Sequence, residues 1–437
     1  MTRQRTFVAV LALCLLPVVA VPSHAGNEAE EAVTYYRDIL PIMQGNCQSC
    51  HRPIGQNIGG LIAPMSFMSY EETRPWARAI AHKVEAREMP PWFASAPTGV
   101  FSNERGLSDA EIDTILSWVE AGAPAGDAAH APAPRQWVEE ASDGWSVGTP
   151  DFTFKMPEPY FVEDDIYDLN IIFFKTLTEE ELPEDTWVRG WEFKTGTAGV
   201  VHHMCASVRP PSIEAPVDGT VVDEGADTAG QLLSCIAEGG EGAMLPEGFG
   251  VLLEKGSTLS FNMHYHKEPA DGSGVWSQSE IGFFLADGPV RYKVKNDTVG
   301  NRSFEIPPNH PNYRIGSSRL LEKDTLVLNY WPHAHMRATA ARYTAFYPDG
   351  TEELLLDVPR YDQNWQVTYK YKEPKLLPKG TRIDVDFWYD NTSERAARRG
   401  FDPNMALGHG PRTDDEMSLG FIGYAEIEPE ATATNDN

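Results

Sequence analysis

Residues 325–336, Thr325-Leu326-Val327-Leu328-Asn329-Tyr330-Trp331-Pro332-His333-Ala334-His335-Met336, decide how the longer part of this chain is read. The first six form an extended apolar run. Side chains of a strand alternate between faces, so His333 and His335 project the same way. Two imidazoles side by side make a chelating bite. Neutral imidazole suits copper, zinc, iron or nickel, so the pair alone names no metal, and a hydrogen-bonded pair on a half-buried strand would look the same. Its company gives it weight: Val201-His202-His203-Met204, then Asn262-Met263-His264-Tyr265-His266, and later Asp415-Glu416-Met417.

Around these motifs, from about Thr149 onward, short apolar runs recur between turn signals, the texture of β-sandwiches. Gly256–His264 and Gly380–Trp388 each follow a lysine and lead into an alternating strand, one in each half of the region, as two tandem sandwiches would produce. Tyr347-Pro348-Asp349-Gly350 separates two apolar runs and predicts a hairpin. The expectation is two all-β, jelly-roll-like domains, residues 151–288 and 289–430, followed by a disordered tail at 431–437. Neighbours His202 and His203 would point to opposite faces of a regular strand. Both reach one metal only if the backbone bulges or the strand ends there. His264 and His266 share a face, and alternation does not choose between them.

The N-terminal part reads differently. Residues 1–25 have a basic start at Arg3 and Arg5, an apolar run from Phe7 to Val21, and small residues at Ser23 and Ala25, which predicts a secretory signal cut after Ala25. No later stretch is long and apolar enough for a membrane span. From 26 to 126 the pattern is helical, with helices expected around Tyr35–Met43, over Tyr70–Ala86, and after a Ser108 cap with Glu111 three residues on, where Ile112, Ile115, Leu116 and Val119 precede a stop at Gly122. Within this segment Cys47-Gln48-Ser49-Cys50-His51 carries the attachment signature of c-type haem: the thiols add to the vinyl groups and the histidine becomes an axial ligand. A thioredoxin-like pair would need a βαβ setting, which is missing. Met65, Met68 and Met89 are available as sixth ligand. Met89 is preferred because Pro90 and Pro91 stiffen its loop and leave the thioether free. Residues 127–150, rich in alanine, proline and glycine, predict a linker in which His130 is solvated.

Of five cysteines, Cys14 leaves with the signal and Cys47 and Cys50 belong to the haem motif. Cys205 and Cys235 remain as a pair that an oxidising compartment allows to close. The formal charge of −28 becomes −30 once Arg3 and Arg5 are lost, which argues against nucleic acid and anionic membranes as partners.

Taken together in order, the four histidine and methionine motifs resemble those of the copper type II, ascorbate-dependent monooxygenases, the family of dopamine β-monooxygenase and peptidylglycine α-hydroxylating monooxygenase, over residues 150–425. Leu107–Pro124 similarly resembles the C-terminal helix of cytochrome c domains. The resemblance implies that His202, His203 and His264 hold an electron-transfer copper and that His333, His335 and Met417 hold an oxygen-binding copper. His266 then sits beside the first site or at the surface, and His310 and His409 are expected at the surface. Ser418 stands where many relatives carry a cysteine. Where the peptide-amidating branch grips a carboxylate, this chain has Trp331, Leu419 and Phe421, which points to an apolar, aromatic pocket and a neutral or weakly polar substrate.

The expected activity is a periplasmic monooxygenase reaction on a C–H bond of a small molecule, using O₂, one haem c and two coppers. Electrons would come from a redox protein or an ascorbate-like reductant and pass from haem through the first copper to the second. The rival readings are a non-catalytic electron-transfer or copper-binding protein, and a zinc site, which the absence of a carboxylate beside either histidine pair makes less apt.

Overall fold

The structure is a computed structural model that describes residues 32–53, 63, 65–137, 144–197, 200–219, 221–223, 229–236 and 242–427. The signal expected over 1–25 and the tail over 431–437 lie outside the described residues.

The helical segment forms as its capping residues dictate. Ser108 Oγ accepts from the Glu111 N–H at 3.3 Å while the Glu111 carboxylate accepts from the Ser108 N–H at 2.8 Å, so two donors at the start of Asp109–Glu120 are satisfied reciprocally. That helix ends before Gly122, whose φ of 87° glycine adopts without cost. The helix expected over 70–86 is interrupted: Tyr70–Thr73 and Ala77–Glu85 are α-helical, with a 3₁₀ turn at Arg74–Trp76 between them. Pro75 has no N–H to give the ladder. Ala77, Ile80 and Val84 form the buried face and Trp76 is exposed. Together with Tyr35–Ile39 and Leu40–Asn46 these helices close over Tyr35, Met43, Ile115 and Trp118, all fully buried.

Two sandwiches follow, and the larger part of the described chain is β-structure. In the first, one sheet runs in the order Val221–Asp223, Asp168–Thr176, Thr258–His266, Val201–Arg209, Gln231–Ile236. Against it pack Phe152–Lys155, Glu280–Leu285, Thr186–Lys194 and Phe249–Leu253, around a core that includes Met204, Phe261, Met263 and Phe283. Phe249–Leu253 pairs in parallel with Tyr292–Gly300, and the same sheet continues through Leu419–Glu426, Thr325–His333 and Tyr369–Leu377. One nine-stranded sheet therefore serves both sandwiches. Its partner in the second is the sheet Tyr313–Leu320, Arg382–Tyr389, Ala338–Phe346, Glu352–Val358, over a core rich in buried tyrosine: Tyr330, Tyr343, Tyr369 and Tyr389. The expected hairpin turn joins Ala338–Phe346 to Glu352–Val358, with Gly350 at φ 87°.

The helical segment is fastened to the second sandwich by its own chain. Residues 95–102 cross the open edges of both sheets: Ser95 N donates to Asp357 O at 2.8 Å, and Ser102 N donates to Lys370 O at 2.7 Å. Exposed edge strands invite mispairing, and this segment covers two of them. Phe101, fully buried, belongs to the tyrosine-rich core, with Trp92 and Phe93 packed beside it. Arg360 adds bonds to the carbonyls of Ala86 and Arg87 at 3.1 and 3.0 Å. The stretch 127–150 is anchored at both ends. Trp137 lies between the guanidinium groups of Arg52 and Arg135, at 4.0 and 4.5 Å from its ring, and the Glu192 carboxylate accepts from the N–H groups of Ser146 and Val147. His130 is exposed.

Candidate metal centres and the cavity between them

The strand pairing resolves the difficulty posed by adjacent histidines. In the ladder between Thr258–His266 and Val201–Arg209, His264 opposes His203 but Tyr265 opposes Val201, so His202 is the extra residue of a bulge. The bulge turns both rings toward His264. The three Nδ1 atoms then stand at the corners of a small triangle: 3.4 Å between His202 and His203, 3.3 Å between His202 and His264, and 3.1 Å between His203 and His264. A tetrahedral metal with nitrogens at ~2.0–2.1 Å needs an edge of about 3.3–3.4 Å, so this donor set fits such an ion. Of the two histidines that alternation left open, His264 is the one brought into the cluster. His266 faces Tyr167 and the outer side of His202.

Asp168 completes this centre from an adjacent strand. Its Oδ1 meets Nε2 of His264, which fixes that ring with Nδ1 as the lone-pair nitrogen, the carboxylate–histidine arrangement that orients metal ligands. Burial alone would raise the Asp168 carboxyl, but the bond to His264 and its charge outweigh that, with help from the Thr413 hydroxyl, and bring it down to about 2. Burial, reinforced by His264, lowers His202 to about 3, and burial with His264 and His202 as neighbours lowers His203 well below its usual value. Both rings are neutral at ordinary pH, the form that binds metal.

At the second pair the nitrogens are assigned the other way round. His333 Nδ1 is bonded to Gln366 Oε1, and His335 Nδ1 to the Asp415 carbonyl at 3.2 Å. A carbonyl only accepts, so both Nδ1 atoms carry the proton and each Nε2 keeps a lone pair. The ring centroids are 5.4 Å apart and the planes perpendicular. The strand ends at His333, so His335 belongs to the turn beyond it rather than to the alternating run. Burial lowers His333 to about 4 and His335 to about 3.

Glu416 ties this turn to the segment that carries Met417. Fully buried, it accepts from the N–H groups of His335 at 2.9 Å, Arg337 at 2.6 Å and Met417 at 3.3 Å. Burial pushes its carboxyl up to about 7 against the pull of those donors and of Arg337. The Tyr389 hydroxyl holds the Met417 carbonyl at 2.7 Å. Thr413, on the same segment, reaches across to Asp168 at 2.9 Å and so links the two centres.

Both centres border one cavity of about 540 Å³ between the sandwiches, lined by His203 on one side and by His333 and Met417 on the other. Trp331, Leu419 and Phe421, the positions singled out in the sequence, line it too, with Trp331 stacked on Phe421 at 4.6 Å. His409 was expected at the surface and is instead half-buried in the cavity wall, because the segment after 400 folds back to pair with Glu416. His310 caps a partly exposed turn through Asn312. Cys205 and Cys235, opposite each other on paired strands, form a disulfide in the same wall. Gln366, Asp168 and the cavity role of His409 carry no sequence signal, since each depends on a contact far along the chain; Glu416 lies inside a motif already noted.

In the helical segment Cys47 and Cys50, neither of them in a disulfide, stand on a turn closed by N–H bonds from Cys50 and His51 to the Cys47 carbonyl. His51 Nδ1 is bonded to the Met65 carbonyl at 3.1 Å and its ring stacks on Phe67 at 4.3 Å, which leaves Nε2 with the free lone pair, as an axial haem ligand would need. Met89 is half-buried in the loop after Ala77–Glu85, and Met68 is 36% exposed. Residues 54–62 and 64, which follow the motif, lie outside the described residues.

No protein-family model matches the chain, and no curated protein matches it. Among solved structures it is similar to the cowpea mosaic virus top component, at 6% identity and a TM-score of 0.29, over 63% of this chain and 92% of that one. The capsid protein P2 of bacteriophage PM2 follows at 8% identity and a TM-score of 0.22, over 63% of this chain and 99% of that one. A Paenibacillus xanthan lyase matches at 10% identity and a TM-score of 0.17, over 70% of this chain and 28% of its own. Likenesses this distant carry no argument about function. Among the described residues no helix is long and apolar enough to cross a membrane.

Proposed function

We propose that this protein is a periplasmic haem- and copper-dependent monooxygenase that hydroxylates a C–H bond of a small organic molecule. The observation that carries the reading is the contrast between two donor sets on one cavity: three converging Nδ1 atoms at His202, His203 and His264, and a pair at His333 and His335 whose Nδ1 atoms are tied back, beside Met417. All-imidazole ligation serves both oxidation states of copper, whereas a thioether favours Cu(I), the state that meets O₂. Bound copper would supply one-electron transfer and O₂ activation, with electrons from a c-type haem on Cys47, Cys50, His51 and Met89, passed by way of the first centre to the second.

The chain's own residues prepare this chemistry. Asp168 and Gln366 fix which nitrogen of His264 and His333 is free, and Glu416 holds His335 and Met417 together. Trp331 and Phe421 offer an apolar wall beside His333. Residues 92–101, with Phe101 in the core of the second sandwich, tie the proposed haem domain to the proposed copper domains.

Metal analysis with EPR of the oxidised protein tests the reading, since type II Cu²⁺ gives a signal and Zn²⁺ none. Two coppers and one haem per chain are expected, with O₂ uptake when reductant and substrate are supplied. His264→Ala should remove one copper and Met417→Leu should abolish hydroxylation, each leaving the haem spectrum intact. Two coppers without O₂ uptake would leave an electron-transfer protein, and zinc in their place would overturn the reading.

A further inference from the structure

The cavity is apolar beside His333, and two guanidinium groups enter its wall elsewhere. Arg302, exposed in the turn after Tyr292–Gly300, contributes to its wall, and among the described residues no carboxylate pairs with it. Arg209, a second guanidinium in the wall, bonds the Glu214 carbonyl at 2.7 Å. Among the described residues of the lining Asp297 is the one acid, and it already forms an ion pair with Arg319. His409 stands in the same wall, and its Nδ1 is buried without a hydrogen-bond partner. Arg302 is also close enough to lower His409, an effect second to burial, while the Asp415 carboxylate beside Gly410 pulls the other way. In a protein of formal charge −28, a wall that presents the Arg302 guanidinium is a place where an anion is attracted rather than repelled.

We infer that the cavity binds a small carboxylate with an aromatic or similarly flat apolar body, its carboxylate held by Arg302 and His409 and its body lying on Trp331 and Phe421. A guanidinium offers a carboxylate two parallel N–H donors, and an imidazole N–H adds a third. The apolar end of such a molecule lies beside His333 and Met417, so that under the proposed function the C–H bond remote from the carboxylate is the one oxidised. That last step rests on the copper reading; the anion preference does not. The sequence points to a neutral or weakly polar substrate because positions 331, 419 and 421 are apolar, and nothing in it shows that Arg302 and His409 face the same space.

Isothermal titration of the purified protein with 3-phenylpropanoate and with its neutral amide, 3-phenylpropanamide, tests this. The acid is expected to bind at least about tenfold more tightly than the amide, the margin a hydrogen-bonded ion pair supplies. Arg302→Gln should erase that margin while leaving the amide unchanged, and His409→Leu should reduce it several-fold. Arg302 is exposed, so its replacement leaves folding intact, which an unchanged unfolding midpoint verifies. Equal binding of acid and amide overturns the inference, as does a loss that Arg302→Gln inflicts on both alike. It is also overturned if His333→Ala abolishes acid binding and Arg302→Gln does not, since a metal would then hold the carboxylate. Copper content measured on the same samples separates the two readings. A copper-free protein that prefers the acid refutes the monooxygenase and keeps the anion site; a copper-loaded protein without preference does the reverse.

Discussion

Replacing Glu416 by glutamine is expected to unseat the second metal centre and spare the first. One carboxylate oxygen accepts from His335 and Met417 and the other from Arg337, at 2.9, 3.3 and 2.6 Å. Glutamine keeps one oxygen and turns an amide NH₂ toward the donors of the other, so at least one buried N–H is stranded. A stranded buried donor costs about 1–3 kcal/mol, and the flip that keeps two bonds loses the one to Arg337. The folded carboxyl sits near 7 because burial raises it, above the value of 4.5 for an exposed glutamate. Between those values the folded state binds the extra proton, so Glu416 adds stability below about pH 4.5 that is lost as pH rises through 7. The deficit of Glu416→Gln should therefore be larger at pH 5 than at pH 8, read by denaturant unfolding of the metal-free proteins. After copper loading, the variant should retain one copper where the wild type retains two. A variant as stable as the wild type at both pH values, with both coppers bound, would show that Glu416 does not hold His335 and Met417 in place.

Asp168→Asn should weaken copper at the first centre by about 10–100-fold, as loss of an orienting carboxylate does. The folded Asp168 carboxyl lies near 2 against 3.8 unperturbed, so its stabilisation is present above pH 3.8 and vanishes as pH falls toward 2; acid unfolding followed by circular dichroism should be steeper in that window for the wild type than for the variant. Converting both Cys205 and Cys235 to serine opens a loop of 30 residues and should cost about 3–4 kcal/mol in denaturant unfolding, with no effect on the haem spectrum. Phe101→Ala, at a fully buried site, should destabilise the second sandwich by about 3–5 kcal/mol and expose residues 92–103 to limited proteolysis, although Phe101 belongs to the N-terminal segment.

Local features were legible from the sequence wherever the signal was itself local. The capping box at Ser108 and Glu111, the Tyr347–Gly350 turn and the two lysine–glycine turns all follow from a few neighbouring residues. Pro75 was the exception: the 70–86 helix was drawn through it by its apolar spacing, and the missing N–H won. Pairing across the chain was less legible. Both His202 and His203 reach one metal only with a bulge or a strand end there, and the bulge depends on the register against Thr258–His266, which no property of residues 200–205 encodes. Likewise Phe101 reads as part of a helical domain, and only the tertiary structure shows that it completes a core made by strands more than two hundred residues later.

The same distinction runs through the site. Residue types that must be histidine or methionine to do chemistry are conspicuous in a sequence, because few other residues can stand in for them. The residues that decide which nitrogen faces the cavity are an aspartate, a glutamine, a backbone carbonyl and a buried glutamate, and each is ordinary in type. Asp168 opposes His266 in the ladder and meets His264 across the diagonal, two residues along the neighbouring strand; Gln366 reaches His333 from the loop between Glu352–Val358 and Tyr369–Leu377. That loop is pinned in turn by Asn103, whose amide donates to Thr368 O at 2.7 Å and whose carbonyl accepts from Lys370 N at 3.1 Å. The tautomer of His333 thus depends, through Gln366 and Thr368, on how the N-terminal segment seats on the second sandwich. Removing the Asn103 side chain should loosen the second centre and leave the His202, His203 and His264 triangle as it is.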